Sequence, residues 1–145
     1  MANRTFVDQQ YTLLKGVVHL FARVSVAGSG AVTFQSWDPV AKAYATAPTL
    51  GFGGIKSVAR SAAGKWTVTL QDTYQRFLAA YCTQSNSGGA STAPLMMVDS
   101  AGDVTLASAP TIKLVFTAVA AGAATDPASG DKVDLHFILS NSSAL

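Results

Sequence analysis

The chain contains no glutamate; all eight of its acidic residues are aspartates. Glutamate is a strong helix former, whereas aspartate favours turns. Its absence, beside abundant Thr, Val, Ser and Gly, points towards an all-β protein. Charge of either sign is scarce. Asp, Lys and Arg make up 12% of the 145 residues, about half the roughly 25% typical of soluble domains. With 49% hydrophobic residues, the composition excludes the low-hydrophobicity, high-charge signature of disorder. It also implies a surface that is largely neutral or covered by something. The net charge is +2 and no run of five like charges occurs, so nothing marks nucleic acid or an anionic membrane as a partner.

The single cysteine, Cys82, excludes an internal disulfide and any multi-cysteine zinc site. No run of 18 apolar residues is present, so no membrane-spanning helix is expected. The segment from Met1 to Asp8 lacks an apolar stretch of the kind a signal peptide needs. Cytoplasmic synthesis without export is therefore expected. The length suits one domain over 1–145 with a core that needs no staple.

What is present is period-two alternation. In Val17–Val26, the residues Val18, Leu20, Ala22, Val24 and Val26 fall on one face. His19, Arg23 and Ser25 share the other with Val17 and Phe21. That is the pattern of a half-buried strand. Ala27–Gly30 reads as a turn and 31–37 as the returning strand of a hairpin. A second hairpin joins 55–60 to 65–71 through Ser61-Ala-Ala-Gly64, with Trp66, Val68 and Leu70 on its apolar face. Asp72–Arg76 reads as a corner, with Asp72 placed to cap a 3₁₀ turn. Residues 77–84, 94–98, 111–119 and 131–139 complete a set of eight strands, and 104–107 reads as a brief extension. A helix over 73–82 is the alternative for one of these, but its length and β-rich surroundings favour a strand. The last strand presents Val133, Leu135, Phe137 and Leu139 on one face. Short strands separated by regular turn signals predict a single-domain antiparallel β-sandwich of jelly-roll-like type. Residues 38–54 and 85–93 read as long loops, the former with one extended piece, and 1–15 as an N-terminal arm. Long loops in a compact domain are usually functional.

The chemistry-bearing residues form few constellations. His136 and Asp134 share a strand face, so a His/Asp pair is geometrically possible there. A metal centre needs three or four converging ligands, and ordinary strand positions explain both histidines more simply. There is no Gly-x-Ser-x-Gly elbow, and Cys82 lies in an apolar strand as a structural thiol would. Asp38, Asp72, Asp99, Asp103, Asp126 and Asp131 each adjoin Gly, Pro, Ser or a strand end, which is turn chemistry. Asp99-Ser-Ala-Gly-Asp103 lacks the full ligand spacing of a calcium loop. Gly51-Phe-Gly-Gly54 lacks the Lys-Ser/Thr ending of a phosphate loop. Neither an enzyme nor a cofactor-binding protein is expected. Interfaces are poor in charge at their centres and rich in aromatics and Met. Trp37, Tyr44, Phe52, Met96 and Met97 are candidates for such contact, with core packing as the competing explanation for each, and Phe6 and Tyr11 are candidates on the arm.

Three stretches carry a family resemblance: Leu20–Val32, Gly54–Tyr74 and Ala124–Ser143. Their succession of strand, glycine turn, Trp-Thr-Val-Thr-Leu strand and Thr-Asp-Pro-x-Ser-Gly turn resembles the small cement or decoration proteins of tailed-bacteriophage heads. The resemblance implies a structural virion protein on the outer capsid surface, made in the bacterial host's cytoplasm. Its implied partners are the major capsid protein and further copies of itself, as a dimer or trimer. The resemblance brings no catalytic residues with it. A tail-fibre or carbohydrate-binding sandwich module is the alternative, with Trp37, Asp38 and Tyr44 as its aromatic and polar groups. The absence of a coiled coil or linker in the sequence speaks against that alternative.

Overall fold

A computed structural model describes residues 16–38, 40–46, 54–85, 94–99, 102–106, 109–118 and 122–140. The strands are β1 (Val17–Val26), β2 (Val32–Asp38), β3 (Ala43–Ala45), β4 (Ile55–Ala62), β5 (Lys65–Leu70), β6 (Arg76–Ser85), β7 (Leu95–Asp99), β8 (Thr111–Thr117) and β9 (Lys132–Ser140). They form two antiparallel sheets, ordered β3-β2-β1-β9-β6 and β4-β5-β8-β7, packed as a β-sandwich. β9 lies between β1 and β6, so the last strand is an interior strand of the five-stranded sheet and β1 its central one.

The alternation read from the sequence places the core. From the five-stranded sheet, Leu20, Ala22, Val24, Val26, Val133, Leu135, Phe137 and Leu139 are buried. They meet Ile55, Val58, Trp66, Val68, Leu70, Ile112, Leu114 and Phe116 of the other sheet. The Trp66 and Phe116 rings pack tilted at 48° with centroids 4.5 Å apart. Because successive strand side chains alternate between faces, one set of positions serves the core and the other is turned outward.

Residues 77–84 are strand, as expected, within β6. The segment before them bends without forming a 3₁₀ turn, so Asp72 caps nothing of that kind. Tyr74 instead anchors the corner: it is buried, and its N–H donates to the Val104 carbonyl at 2.9 Å. Val104–Leu106 form no strand; Val104 is a core residue. The extended piece in the 38–54 loop is β3, which pairs with the outer part of β2. Asp38 begins the intervening turn by accepting from the N–H groups of Val40 and Ala41 at 2.8 and 3.2 Å. That is the local side-chain-to-backbone bonding that suits aspartate to turns.

Two of the stretches that carry the family resemblance meet in a polar knot. Arg60 Nη2 and Nε donate to Asp126 Oδ2 at 2.8 and 3.0 Å, and the Gly64 N–H donates to Asp126 Oδ1 at 2.9 Å. Burial works against the Asp126 carboxylate, but the guanidinium and the backbone N–H outweigh it and hold its pKa below the ordinary value. The buried Trp66 Nε1–H lacks a partner at hydrogen-bonding geometry. It is near enough to Asp126 to favour the ionised form.

Candidate functional site: the outer face of the five-stranded sheet

The register brings the outward side chains of β1, β9 and β6 into rows. Phe21 lies opposite His136, and His136 opposite Tyr81. One step along, Arg23 lies opposite Asp134, and Asp134 opposite Thr83. On the other side of β1, Arg23 lies opposite Gln35. Trp37, two residues on from Gln35, therefore shares this face, and Trp37 pairs with Tyr44 of β3.

Four large aromatics stand exposed here: Phe21 at 60%, Tyr81 at 58%, Trp37 at 51% and Tyr44 at 36%. They hold one another and their polar neighbours in place. Phe21 stacks on the His136 ring at 4.3 Å and 18°. Tyr81 leans on the same ring from the β6 side at 5.9 Å. Trp37 and Tyr44 meet edge-on at 5.4 Å.

The Arg23 and Asp134 charges on this face neutralise each other. Arg23 donates from Nε and Nη2 to the two carboxylate oxygens of Asp134 at 2.6 and 2.7 Å. Its guanidinium also lies 3.8 Å above the centre of the Tyr44 ring. Donating these hydrogen bonds to Asp134 raises the Arg23 pKa further. A bidentate fork of this kind fixes both side chains in one geometry. The His/Asp pair that the sequence made geometrically possible does not form, because Asp134 is taken by Arg23. His136 Nε2 instead meets His19 Nδ1 at 2.8 Å. The ring centroids are 5.1 Å apart, so the rings meet edge to edge through these nitrogens. Partial burial, and then the neighbouring His19, lower the His136 pKa.

The opposite outer face differs in character. It presents Lys65, Thr67, Thr69, Thr111 and Lys113 from β5 and β8, a normal solvated surface, with exposed Leu95 and Met97 only on edge strand β7. Met96 turns inward against the core. Of the interface candidates named from the sequence, Trp37 and Tyr44 are together on the aromatic face. Phe6, Tyr11 and Phe52 lie outside the described residues. Phe21 and Tyr81 were missed as contact residues. The signal for Phe21 was its place on the non-core face of β1; Tyr81 had none as clear, because the register shift between Phe77 and Ala79 breaks the alternation along β6.

No group of three His, Cys, Asp or Glu side chains converges on one point among the described residues. Cys82 is half-buried, and burial pushes its thiol pKa up, the reverse of what a nucleophile needs. A cleft of about 410 Å³ between the β6 entrance and the β7–β8 connection holds Asp99 and Asp103 and no histidine or cysteine. The Asp103 carboxylate there accepts from the Thr105 N–H and hydroxyl, both at 2.7 Å. No helix among the described residues is long and apolar enough to cross a membrane. Comparison with protein families, curated proteins and solved structures found no match for this chain.

Proposed function

We propose that this chain is a structural virion protein of a tailed bacteriophage. It binds the outer surface of the expanded capsid and bridges major capsid subunits through the outer face of its five-stranded sheet. The observation that carries the reading is that face: four exposed aromatics around an ion pair that is already satisfied within the chain. Charge-poor centres with aromatic anchors are what protein interfaces have. An internally paired Arg23 and Asp134 can be covered with little of the penalty an unpaired charge would bring.

Function then follows from mass action. A protein that binds only the expanded shell stabilises it by RT ln(1 + [L]/Kd), about 2.7 kcal/mol per site at a concentration of 100 Kd. Repetition over a symmetric lattice multiplies that modest term, and dimeric or trimeric clamps match the lattice symmetry. The test is co-sedimentation with expanded shells that lack the protein, with unexpanded shells as control. Saturable pelleting with expanded shells alone, together with a raised shell melting temperature, is expected. Pelleting with neither shell overturns the reading.

One observation favours a second reading. The edge-on Trp37–Tyr44 pair beside Arg23 and Asp134 offers ring faces next to a polar fork, as a carbohydrate-binding module does. Specific retention on a glycan array, with no shell binding, would put that module ahead.

A further inference from the structure

We propose that His19 and His136 supply two imidazole ligands to a late first-row divalent ion, Ni²⁺ or Cu²⁺ above Zn²⁺, with water completing its coordination. The two residues are the chain's only histidines, 117 positions apart, and the β1–β9 pairing brings their nitrogens to 2.8 Å. In the neutral pair one proton bridges them. An ion takes the place of that proton, which passes to the far nitrogen of the ring that held it, Nε2 of His19 or Nδ1 of His136, so both rings stay neutral.

The spacing suits tetragonal coordination. Two nitrogens bound cis at about 2.0–2.1 Å stand about 2.9 Å apart, whereas tetrahedral ligands stand wider, at about 3.3 Å. The nitrogens therefore already have the cis separation. What changes on binding is ring direction, since both lone pairs must turn to one point. His19 is exposed and free to pivot. His136 is steadied between Phe21 and Tyr81, which lowers the entropy lost when it becomes a ligand.

Nearby charge permits the ion. Arg23 of β1 is the closest cation on the face, and Asp134 of β9 neutralises it. Tyr81 and Cys82 of β6 are the other titratable groups lining a depression of about 250 Å³ that Phe21, Asp134 and His136 also line. The other coordination positions face outward, open to water or to a donor from whatever covers the face. Bound metal would join β1 to β9 at the centre of the five-stranded sheet.

The test uses the untagged full chain and Ni²⁺ alone, followed by calorimetry and by the imidazole proton resonances. Binding of one ion per chain is expected at pH 7.5, with both histidine signals broadened by the paramagnetic ion. His19→Ala and His136→Ala should each weaken it at least tenfold while leaving the metal-free melting temperature near wild type. Lowering the pH to 5.5 should weaken it, because protons then compete with the ion for the ring nitrogens. No saturable binding, or binding that either substitution leaves unchanged, overturns the site and shows the pair to be a hydrogen bond only. Neither result depends on capsid shells, so the site and the proposed function fail separately.

Discussion

Replacing Gly64 by alanine separates two effects that glycine substitutions usually combine. Gly64 closes the β4–β5 hairpin at φ +63°, and a Cβ there would stand 2.4 Å from the Thr125 nitrogen, 2.6 Å from the Phe116 oxygen and 2.8 Å from the Ala124 carbonyl carbon. All three are backbone atoms, so no side chain can swing aside. The left-handed backbone alone costs an alanine about 1 kcal/mol. Relieving the overlap means moving the turn off the 122–131 connection. That move breaks or stretches the Phe116 N–H bond to the Gly64 carbonyl, the Thr125 N–H bond to the Phe116 carbonyl and the Gly64 N–H bond to Asp126, which measure 2.7, 2.9 and 2.9 Å. Each bond contributes about 1 kcal/mol, so Gly64→Ala should cost about 3–5 kcal/mol in all. Gly122 is the control, because it has nearly the same φ, +61°, with nothing within 4 Å of its Cβ position. Gly122→Ala should cost only the backbone portion, about 1 kcal/mol. With a urea slope of about 2 kcal/mol/M, the unfolding midpoints should fall by about 2 M and about 0.5 M respectively. Equal shifts for the two variants would refute the steric part of the reasoning.

The two faces of the β1–β9 pair should respond oppositely to one kind of change. Phe137→Ala empties a fully buried position and should cost about 3–5 kcal/mol in urea unfolding, whereas Phe21→Ala on the outer face should cost under about 1 kcal/mol. Asp126→Asn should flatten the acid side of the stability profile. The folded pKa of Asp126 is depressed, so its stabilisation is present above the unfolded value of about 3.9 and is lost as pH falls through the lower folded value. Thermal melts between pH 6 and pH 3 should show wild type losing more than the variant; parallel curves would contradict the knot. Cys82, with its thiol pushed up by burial, should react with a thiol-specific disulfide reagent more slowly than free cysteine at pH 8 and reach the free rate in denaturant.

Much of the fold was legible because alternation states which side of a strand is inside. Val18 to Val26 and Val133 to Leu139 each declared a core face, and the two hairpins were marked by Gly-containing turns. The pairing of β9 between β1 and β6 was not legible, since nothing local to residues 132–140 names a partner more than a hundred positions away. The candidate site was hidden for the same reason. Asp134 and His136 stand two apart on one strand face and so looked like a pair. Each was claimed instead by a residue of β1, and only the register decides that Arg23 takes the carboxylate and His19 the imidazole. Trp37 and Tyr44 could be suspected from aromatic character in a charge-poor chain. Phe21 and Tyr81 became contact candidates only once their side of the sheet was known to be uncovered. β3 was legible only as an extended piece somewhere in the 38–54 loop, because three residues give too short an alternation to place a strand.

The account rests on the outer face of the five-stranded sheet being the surface through which this protein binds. The most direct test is the affinity for expanded shells of wild type against a Phe21→Ser/Trp37→Ser/Tyr81→Ser variant, each first shown to melt alike. The account predicts saturable wild-type binding and at least a hundredfold loss in the variant, since exposed aromatic anchors at an interface carry 2 kcal/mol or more each, as a rough guide. Undiminished binding by the variant would contradict it and move the contact surface elsewhere on the chain.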